Sequence, residues 1–384
     1  MQPSIRYVIF TGANERAIIA CCRYFRQQKI YFSLITRPGK DKLKLTHFKH
    51  HIDAEREFDK LDYDDMNNCV VRLKNKYPND ELHFIPTAES INRVILAHRS
   101  MFTYSGLNIS LCNERIYSQV SDKESFISLT EKFGIRSPDT LYEPKESDIP
   151  FVAKPRKEFS QLTGDKIYPH LILSFADYRD FFARFNSEEY FFQDYIDGES
   201  YYYLIDFNDS LNPVVRYQRN LLQQSQGKSV IAAVTCSCPD QFFEQQIISA
   251  LRSVNYQGLV MVEMMKMGNE SWLIEANPRL WGPFLLAVKA GINPISTKRS
   301  SDDYNASTSS HSYLWLGGLV ANIASGHKPR RYFREGESLT WFLAKSLHQD
   351  IYLKKDTLSL FFNEIVTFSM NVFNRKPLKI KGSK

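Results

Sequence analysis

Glu263, Glu275, Asn277 and Arg279 lie in one stretch, residues 258–294, GLVMVEMMKMGNESWLIEANPRLWGPFLLAVKAGINP. Two carboxylates and an amide oxygen are hard oxygen ligands, suited to one or two Mg²⁺ ions that carry a nucleotide's phosphates, with Mn²⁺ as an alternative on the same oxygens. Arg279 adds a fixed fork of donors for phosphate or carboxylate oxygens. The local pattern brings these groups together. Val260, Val262 and Met264 alternate with Met261, Glu263 and Met265, Gly268-Asn269 signals a turn, and Trp272-Leu273-Ile274 opens a second run. Strands joined this way hold Glu263 and Glu275 side by side, with Asn277 on the same face. A loop then enters a helix rich in small residues (Gly282, Ala287, Ala290, Gly291). The competing reading is a hairpin whose acids face water, because E-x-N-P-R alone is short enough to arise by chance.

A second chemical position is Lys154, in residues 149–155, IPFVAKP. A lysine at the end of an apolar strand, fixed by the following proline, presents one ammonium towards the α- and β-phosphates. Together these stretches resemble the ATP-grasp superfamily, whose members close the nucleotide site with an acidic strand followed by E-x-N-x-R and carry an apolar strand ending in Lys-Pro. The resemblance extends to Ser121-Asp122-Lys123 and the later FGIRSP of residues 133–138, and it implies that Lys123 contacts the nucleotide. Residues 190–200, YFFQDYIDGES, are similar to the family's hinge. That similarity implies that Gln193 and the backbone of Tyr195 and Ile196 read adenine and that Glu199 binds the ribose. The family often has Glu at the position of Gln193, and a neutral amide still accepts the N6 proton. The family's glycine-rich phosphate loop is missing: residues 156–166, RKEFSQLTGDK, have only Gly164. Ser160, Gln161 and Thr163, or Arg156 and Lys157, are the compensating donors.

These groups need a scaffold. An apolar run at 7–10, a Thr11-Gly12-Ala13 turn, helical spacing at 16–25 and a strand at 30–36 predict an open parallel sheet. The turn lacks a complete G-x-G-x-x-G and reads as structural. The resemblance agrees, because such ligases begin with a Rossmann-like domain that does not hold the phosphates. Helical patches are expected at 54–61 and 65–77. A strand at 82–85 follows, running into Pro86-Thr87-Ala88-Glu89-Ser90. Ligands sit after strand ends in such sheets, so Glu89 and Thr87 are candidates for a substrate amine; a helix start capped by Thr87 reads equally well. One helix is predicted over 116–132 and an aromatic-rich one over 175–185. Strands at 201–207, 214–217 and 229–235 suggest an antiparallel sheet, and a helix follows at 241–251. Arg216 or Arg219 either binds the substrate carboxylate or the γ-phosphate or is an ordinary strand arginine. Trp281-Gly282-Pro283 falls beside the reacting carboxylate. The expected class is α/β (α+β ATP-grasp): a Rossmann-like domain (1–115), two ATP-grasp subdomains clamping the nucleotide (116–190 and 191–300), and a C-terminal extension (301–384).

Composition narrows the remainder. A chain of 384 residues with 27 Phe and 21 Tyr fills more than one core. A net charge of +6 suits an anionic substrate without arguing for nucleic acid. Six scattered cysteines read as free thiols, and His98, His170 and His311 have no triad-like partners. The start MQPSIRYVIF is not a secretory signal, and no apolar run reaches about 18 residues, so a cytoplasmic protein is expected. Residues 296–310 read as a polar mobile loop, either a substrate lid or a tolerated insertion. Residues 358–373 followed by RKPLKIKGSK read as a packed last helix with a frayed basic tail, with a peripheral membrane contact as the alternative.

The resemblance implies an ADP-forming carboxylate–amine ligase: a carboxylate attacks the γ-phosphate of ATP, and an amine then displaces phosphate from the acylphosphate. Mg²⁺ would neutralise phosphate charge, the lysines would hold ATP, and Arg279 would steady the acylphosphate or oxyanion. The partners are then a small acid and amine, amino acids or peptides, in a monomer or homo-oligomer. A nucleotide-binding regulator with little turnover stays open, as does a carboxylase or carbamoyl-phosphate-type enzyme, although no biotin-related or amidotransferase domain is present. Nucleic-acid binding has only charge and aromatic content behind it.

Overall fold

The computed structural model describes residues 4–157, 159–207, 213–293, 295 and 310–373. All but the last residue of the polar loop expected at 296–310, and the basic tail at 374–384, lie outside the described residues.

The first part of the chain runs β1 (Ile5–Phe10), α1 (Glu15–Gln27), β2 (Tyr31–Thr36), β3 (Ile52–Glu55), α2 (Tyr63–Lys76), β4 (Glu81–Phe84), α3 (Glu89–Ala97), α4 (Arg99–Tyr104) and β5 (Leu107–Asn108). Its strands form a parallel sheet in the order β3-β2-β1-β4-β5. Alternation along β1 serves two cores: Tyr7 and Ile9 pack with α1, while Val8 and Phe10 pack with Met66, Val70 and Ile91 of α2 and α3. The turn after β1 is structural. Gly12 has φ +96°, a Cβ there would meet Arg37, and the Thr11 hydroxyl donates to the Asp41 carboxylate. The helix expected at 54–61 does not form. Parallel pairing with β2 takes up the start of this segment as β3, and the Asp65 carboxylate then accepts the Glu57 and Phe58 N–H groups, so tertiary partners outweigh local propensity.

Residues 116–132 also depart from the single predicted helix. They form the end of α5 (Glu114–Ser121) and all of α6 (Lys123–Glu131), broken at Asp122. Asp122 is extended and its carboxylate accepts the Ser125 N–H at 2.9 Å, an N-cap that starts a new helix at Lys123. A four-stranded antiparallel sheet follows, in the order β6-β9-β7-β8, from β6 (Thr140–Leu141), β7 (Phe151–Pro155), β8 (His170–Ile172) and β9 (Tyr190–Asp194). The helix α7 (Phe175–Arg184) covers it through Phe181, which packs among Phe151, Tyr190 and Phe192.

The largest sheet has the order β14-β13-β10-β11-β12-β15. Its elements are β10 (Glu199–Asp206), β11 (Val214–Gln223), β12 (Val230–Cys236), α8 (Gln241–Ser253), β13 (Leu259–Met267), β14 (Glu270–Asn277), α9 (Phe284–Lys289) and β15 (Ser312–Leu314). After α10 (Leu316–Ala324), the short β16 (Arg330–Arg331) pairs with the far end of β11, and α11 (Leu339–Ser346) and α12 (Leu358–Phe373) follow. Residues beyond 301 thus complete this sheet, which their sequence did not announce. Along β10, Tyr201, Tyr203 and Ile205 face a core shared with α8, whereas Tyr202 and Leu204 face the core shared with α1 and α9. All six cysteines are free. No helix among the described residues is long and apolar enough to cross a membrane.

Candidate functional site

A cavity of about 480 Å³ opens where the three sheets meet. Its walls come from the loops after β1 and β4, from α6, β7, the β9–β10 hinge, β13 and β14, and the segment around β16. Basic side chains outnumber acidic ones along these walls, which favours an anionic occupant.

The acidic end has the predicted geometry. Glu263 pairs directly with Glu275 across β13 and β14, and Asn277 pairs with Met261. A bulge between Glu263 and Met264 inserts Ile274 opposite, so that both Ile274 and Glu275 line the cavity while Leu273 and Ala276 stay in the core. Glu263 is 8% exposed and accepts a hydrogen bond from Ser200 at 3.1 Å. Burial, and then the neighbouring Glu275, push its pKa upward. Burial works on Glu275 in the same sense, but Lys123, the Asn277 amide, Lys154 and Arg279 outweigh it and hold that carboxyl below the usual range. Asn277 donates to Glu275 at 2.7 Å and accepts from Arg279 at 2.8 Å, so the E-x-N-x-R residues are joined to one another.

The lysines approach from the opposite wall. Asp122 caps α6 and thereby sets Lys123 at its first position, with the ammonium 3.6 Å from Glu275. Lys154 ends β7, is 7% exposed, and donates to Gln193 Oε1 at 2.7 Å and to the Ile274 carbonyl at 3.5 Å. Burial, then repulsion from Lys123, lowers its pKa to about 8 against the pull of Glu275 and Glu263.

The hinge divides. Tyr195 and Ile196 line the cavity, but the Gln193 side chain does not: it is fully buried, and its amide donates to the Pro138 carbonyl at 2.8 Å while accepting from Lys154. Gln193 thus holds Lys154 from behind rather than facing a base. Glu199 is on the other face of β10 from Ser200 and Tyr202, as the two-residue period requires. There it bonds Arg334 and Tyr201, while Arg219 bonds Glu337; none of these residues lines the cavity. Arg216 donates to the Ala290 carbonyl at 2.6 Å, tying β11 to the end of α9, and is also outside the lining. Glu89 lines the cavity from the first turn of α3 and pairs with Arg93 at 2.8 Å. Thr87 is used on the Phe10 carbonyl and is not the cap of α3. Trp281 lines the cavity, with its indole N–H buried and unpartnered among the described residues.

Comparison with solved structures agrees with this layout. Pyruvate carboxylase from Rhizobium etli aligns at 15% identity and a TM-score of 0.54 over 76% of this chain, which spans only 28% of that much longer protein. The biotin carboxylase domain of 2-oxoglutarate carboxylase from Hydrogenobacter thermophilus, solved with MgADP, ADP and bicarbonate, aligns at 11% identity and a TM-score of 0.57, covering 79% of this chain and 72% of that one. L-amino acid ligase from Bacillus licheniformis aligns at 10% identity and a TM-score of 0.57, covering 81% and 80%. This chain has the ATP-grasp fold. No family model matches its sequence, and no curated protein matches it in a sequence search.

Within that ATP-grasp frame, several cavity residues escaped the sequence reading. Arg330 of β16 donates to the Ile196 carbonyl at 3.0 Å, and its guanidinium lies 4.7 Å from the Tyr195 ring and 5.0 Å from the Tyr332 ring. A buried polar ladder stands behind Glu263, running from Gln218 to Asn220 to Ser200. No local pattern marks these residues; an arginine pair in a short loop segment gave only a weak signal. The loop at 156–166 also differs from expectation. Ser160 and the Gln161 N–H bond Glu189, Thr163 serves the loop's own turn, and Arg156 bonds Glu124. Among the described residues of that loop, Lys166 lines the cavity.

The donor set fits a divalent cation. Two carboxylates held in register, one with its proton affinity raised by burial and then by the other, form a site whose repulsion a cation would relieve. Among the described residues there is no cluster of three or more acidic, thiol or imidazole ligands, so Asn277 and ligand oxygens would complete the shell.

Proposed function

We propose that this protein is an ATP-dependent ligase that activates a carboxylate as an acylphosphate and joins it to an amine, releasing ADP and phosphate. The observation that carries this reading is the convergence of Lys123, Lys154, Glu263, Glu275, Asn277 and Arg279, from three separated stretches, on one cavity where the three sheets of an ATP-grasp fold meet. Lys154, with its stem buried and its ammonium held by Gln193, presents a fixed charge to phosphate oxygens. Lys123 adds a second charge from the first turn of α6. Glu263, Glu275 and Asn277 would hold Mg²⁺, which when bound supplies charge neutralisation to the phosphates. Arg279, fixed by Asn277 and the Leu280 carbonyl, offers its remaining donors to the acyl phosphate oxygens. The carboxylate oxygen attacks the γ-phosphorus and ADP leaves. The amine nitrogen then attacks the acyl carbon, phosphate leaves, and the nitrogen gives up a proton.

The named neighbours comprise two carboxylases and an amino acid ligase. The choice of an amine acceptor rests on Glu89, an acid on the cavity wall suited to an ammonium group. Mass spectrometry of mixtures of ATP, Mg²⁺ and pairs of amino acids tests the reading: amide product and ADP are expected in equal amounts from at least one pair. One observation favours a second reading, a nucleotide-binding regulator: loop donors at 160–163 are spent on Glu189 and on the loop itself rather than offered to phosphates. A protein that binds ATP with Mg²⁺ yet forms no ADP with any acid–amine pair would support that second reading and eliminate the ligase.

A further inference from the structure

Arg16 stands in the first turn of α1, yet its side chain crosses to the large sheet. Its Nη1 donates to the Val230 carbonyl at 3.1 Å and to the Tyr313 hydroxyl at 3.3 Å, and its Nη2 donates to the Ser229 hydroxyl at 2.9 Å. The guanidinium carbon lies 3.9 Å from the centre of the Trp315 ring. All three acceptors are neutral, and Arg16 forms no salt bridge among the described residues. Glu364, the acid that acts on it electrostatically, is bonded by the Trp315 indole N–H and by Lys42. Arg16 is half-buried at the cavity wall and no carboxylate among the described residues bonds its guanidinium directly, so an anion entering the cavity would gain a charge-assisted partner there.

The surroundings supply room for that anion. Arg16 lines the cavity, and the backbone of Gly282 packs against it so closely that a Cβ there would lie 2.8 Å from the guanidinium carbon. Trp281, next to Gly282, lines the same wall, with its own indole N–H buried. Lys228 adds a further positive charge beside Ser229. Asn14 clamps this corner by donating to the Thr87 carbonyl at 2.9 Å and the Leu280 carbonyl at 2.7 Å. The corner therefore holds a fixed fork of donors, a hydroxyl and a cation, while Glu89 faces the same cavity as a candidate for an ammonium group.

We propose that Arg16, with Ser229, forms a subsite for a substrate carboxylate that is not consumed in the reaction, so that one substrate is an amino acid or small peptide bound through its free carboxylate. The inference rests on the ligase reading above but has its own readout. Carboxylate recognition by a planar fork is specific: a site built to pair a polar group rejects an analogue lacking it, commonly by well over about tenfold.

The test is thermal-shift titration of the full chain with AMP-PNP and Mg²⁺, adding each of the twenty protein L-amino acids beside its α-carboxamide. At least one amino acid is expected to raise Tm on top of the nucleotide shift while its carboxamide does not; this comparison needs no variant. Arg16→Lys and Gly282→Ala should each weaken the amino-acid response at least about tenfold while the AMP-PNP shift persists, which also reports that the variants are folded. Methylguanidinium should restore the response to Arg16→Ala. Equal responses to acid and carboxamide, no response to any amino acid, or wild-type responses in both variants would overturn the subsite while leaving the nucleotide site standing. A wild-type protein that ignores AMP-PNP would overturn the ligase reading and this one with it.

Discussion

At the residue scale, the site is governed by charges held against their preference. Glu263 and Glu275 are forced together by strand register, and the lysines opposite stabilise Glu275 in particular. Glu275→Gln removes one of the proposed metal-binding carboxylates and the anion that faces Lys123. ADP formation in a coupled assay is expected to fall at least about 100-fold, and turnover near that of the wild type would remove Glu275 from the site. Lys154 carries the pH dependence. Burial lowers its pKa to about 8, so it is charged at neutral pH and loses its proton as pH rises through that value, whereas a bound phosphate favours the charged form. Nucleotide affinity measured by calorimetry should therefore be level up to about pH 8 and then fall by as much as about tenfold per unit, with proton uptake on binding. Lys154→Met should abolish that slope. Gln193 supports this lysine, so Gln193→Met should weaken ATP and GTP alike rather than change base preference, and should cost about 1.5–3 kcal/mol of stability in urea titrations because it strands a buried charge.

At the element scale, the position of Lys123 depends on a break between two helices. The continuous apolar pattern of residues 116–132 reads as one helix, but the Asp122 cap starts α6 one residue before Lys123. Asp122→Ala should cost about 1 kcal/mol of stability and weaken nucleotide binding, whereas Asp122→Asn, which caps equally well, should cost little in either assay. A bulge plays the corresponding part in β14. It sets Ile274 and Glu275 together on the cavity wall and aims the Ile274 carbonyl at Lys154, so the contact between the clamp's two sheets is made by backbone that alternation alone would have placed differently.

At the scale of the whole molecule, the C-terminal segment is tied back to the first helix. Arg23 and Arg26 of α1 both bond the Asp356 carboxylate just before α12, and Arg23 also reaches the Ile351 carbonyl and Thr357. Burial would raise the pKa of Asp356, but Arg23 and then Arg26 outweigh it and hold that carboxyl below the usual range. A carboxyl whose folded pKa is depressed contributes stability above its unfolded value of about 3.9 and loses it as pH falls through the folded value. Asp356→Asn is therefore expected to cost about 1.5–3 kcal/mol at pH 7, with the difference from wild type shrinking below about pH 4. A constant difference across that range would show that the ion pairs contribute nothing.

The sequence by itself determined the features that depend on short range. Strand alternation and a turn signal put Glu263, Glu275 and Asn277 on one wall, a Lys-Pro strand end identified Lys154, and an apolar β-turn-α-β start announced the parallel sheet. Such features follow from the periods of the backbone and are legible wherever a few neighbouring residues decide them. Tertiary structure decided the rest. Glu199 and Arg219 turned to the far face because pairing within the large sheet set which side of β10 and β11 meets the cavity. Gln193 became a support for Lys154 because β7 and β9 pair side by side. Arg16 and Arg330 reached the cavity from opposite ends of the chain because α1 packs on α9 and β16 adds to β11. Contacts between segments far apart in the chain depend on how faces pack, and packing leaves no periodic trace in either segment alone.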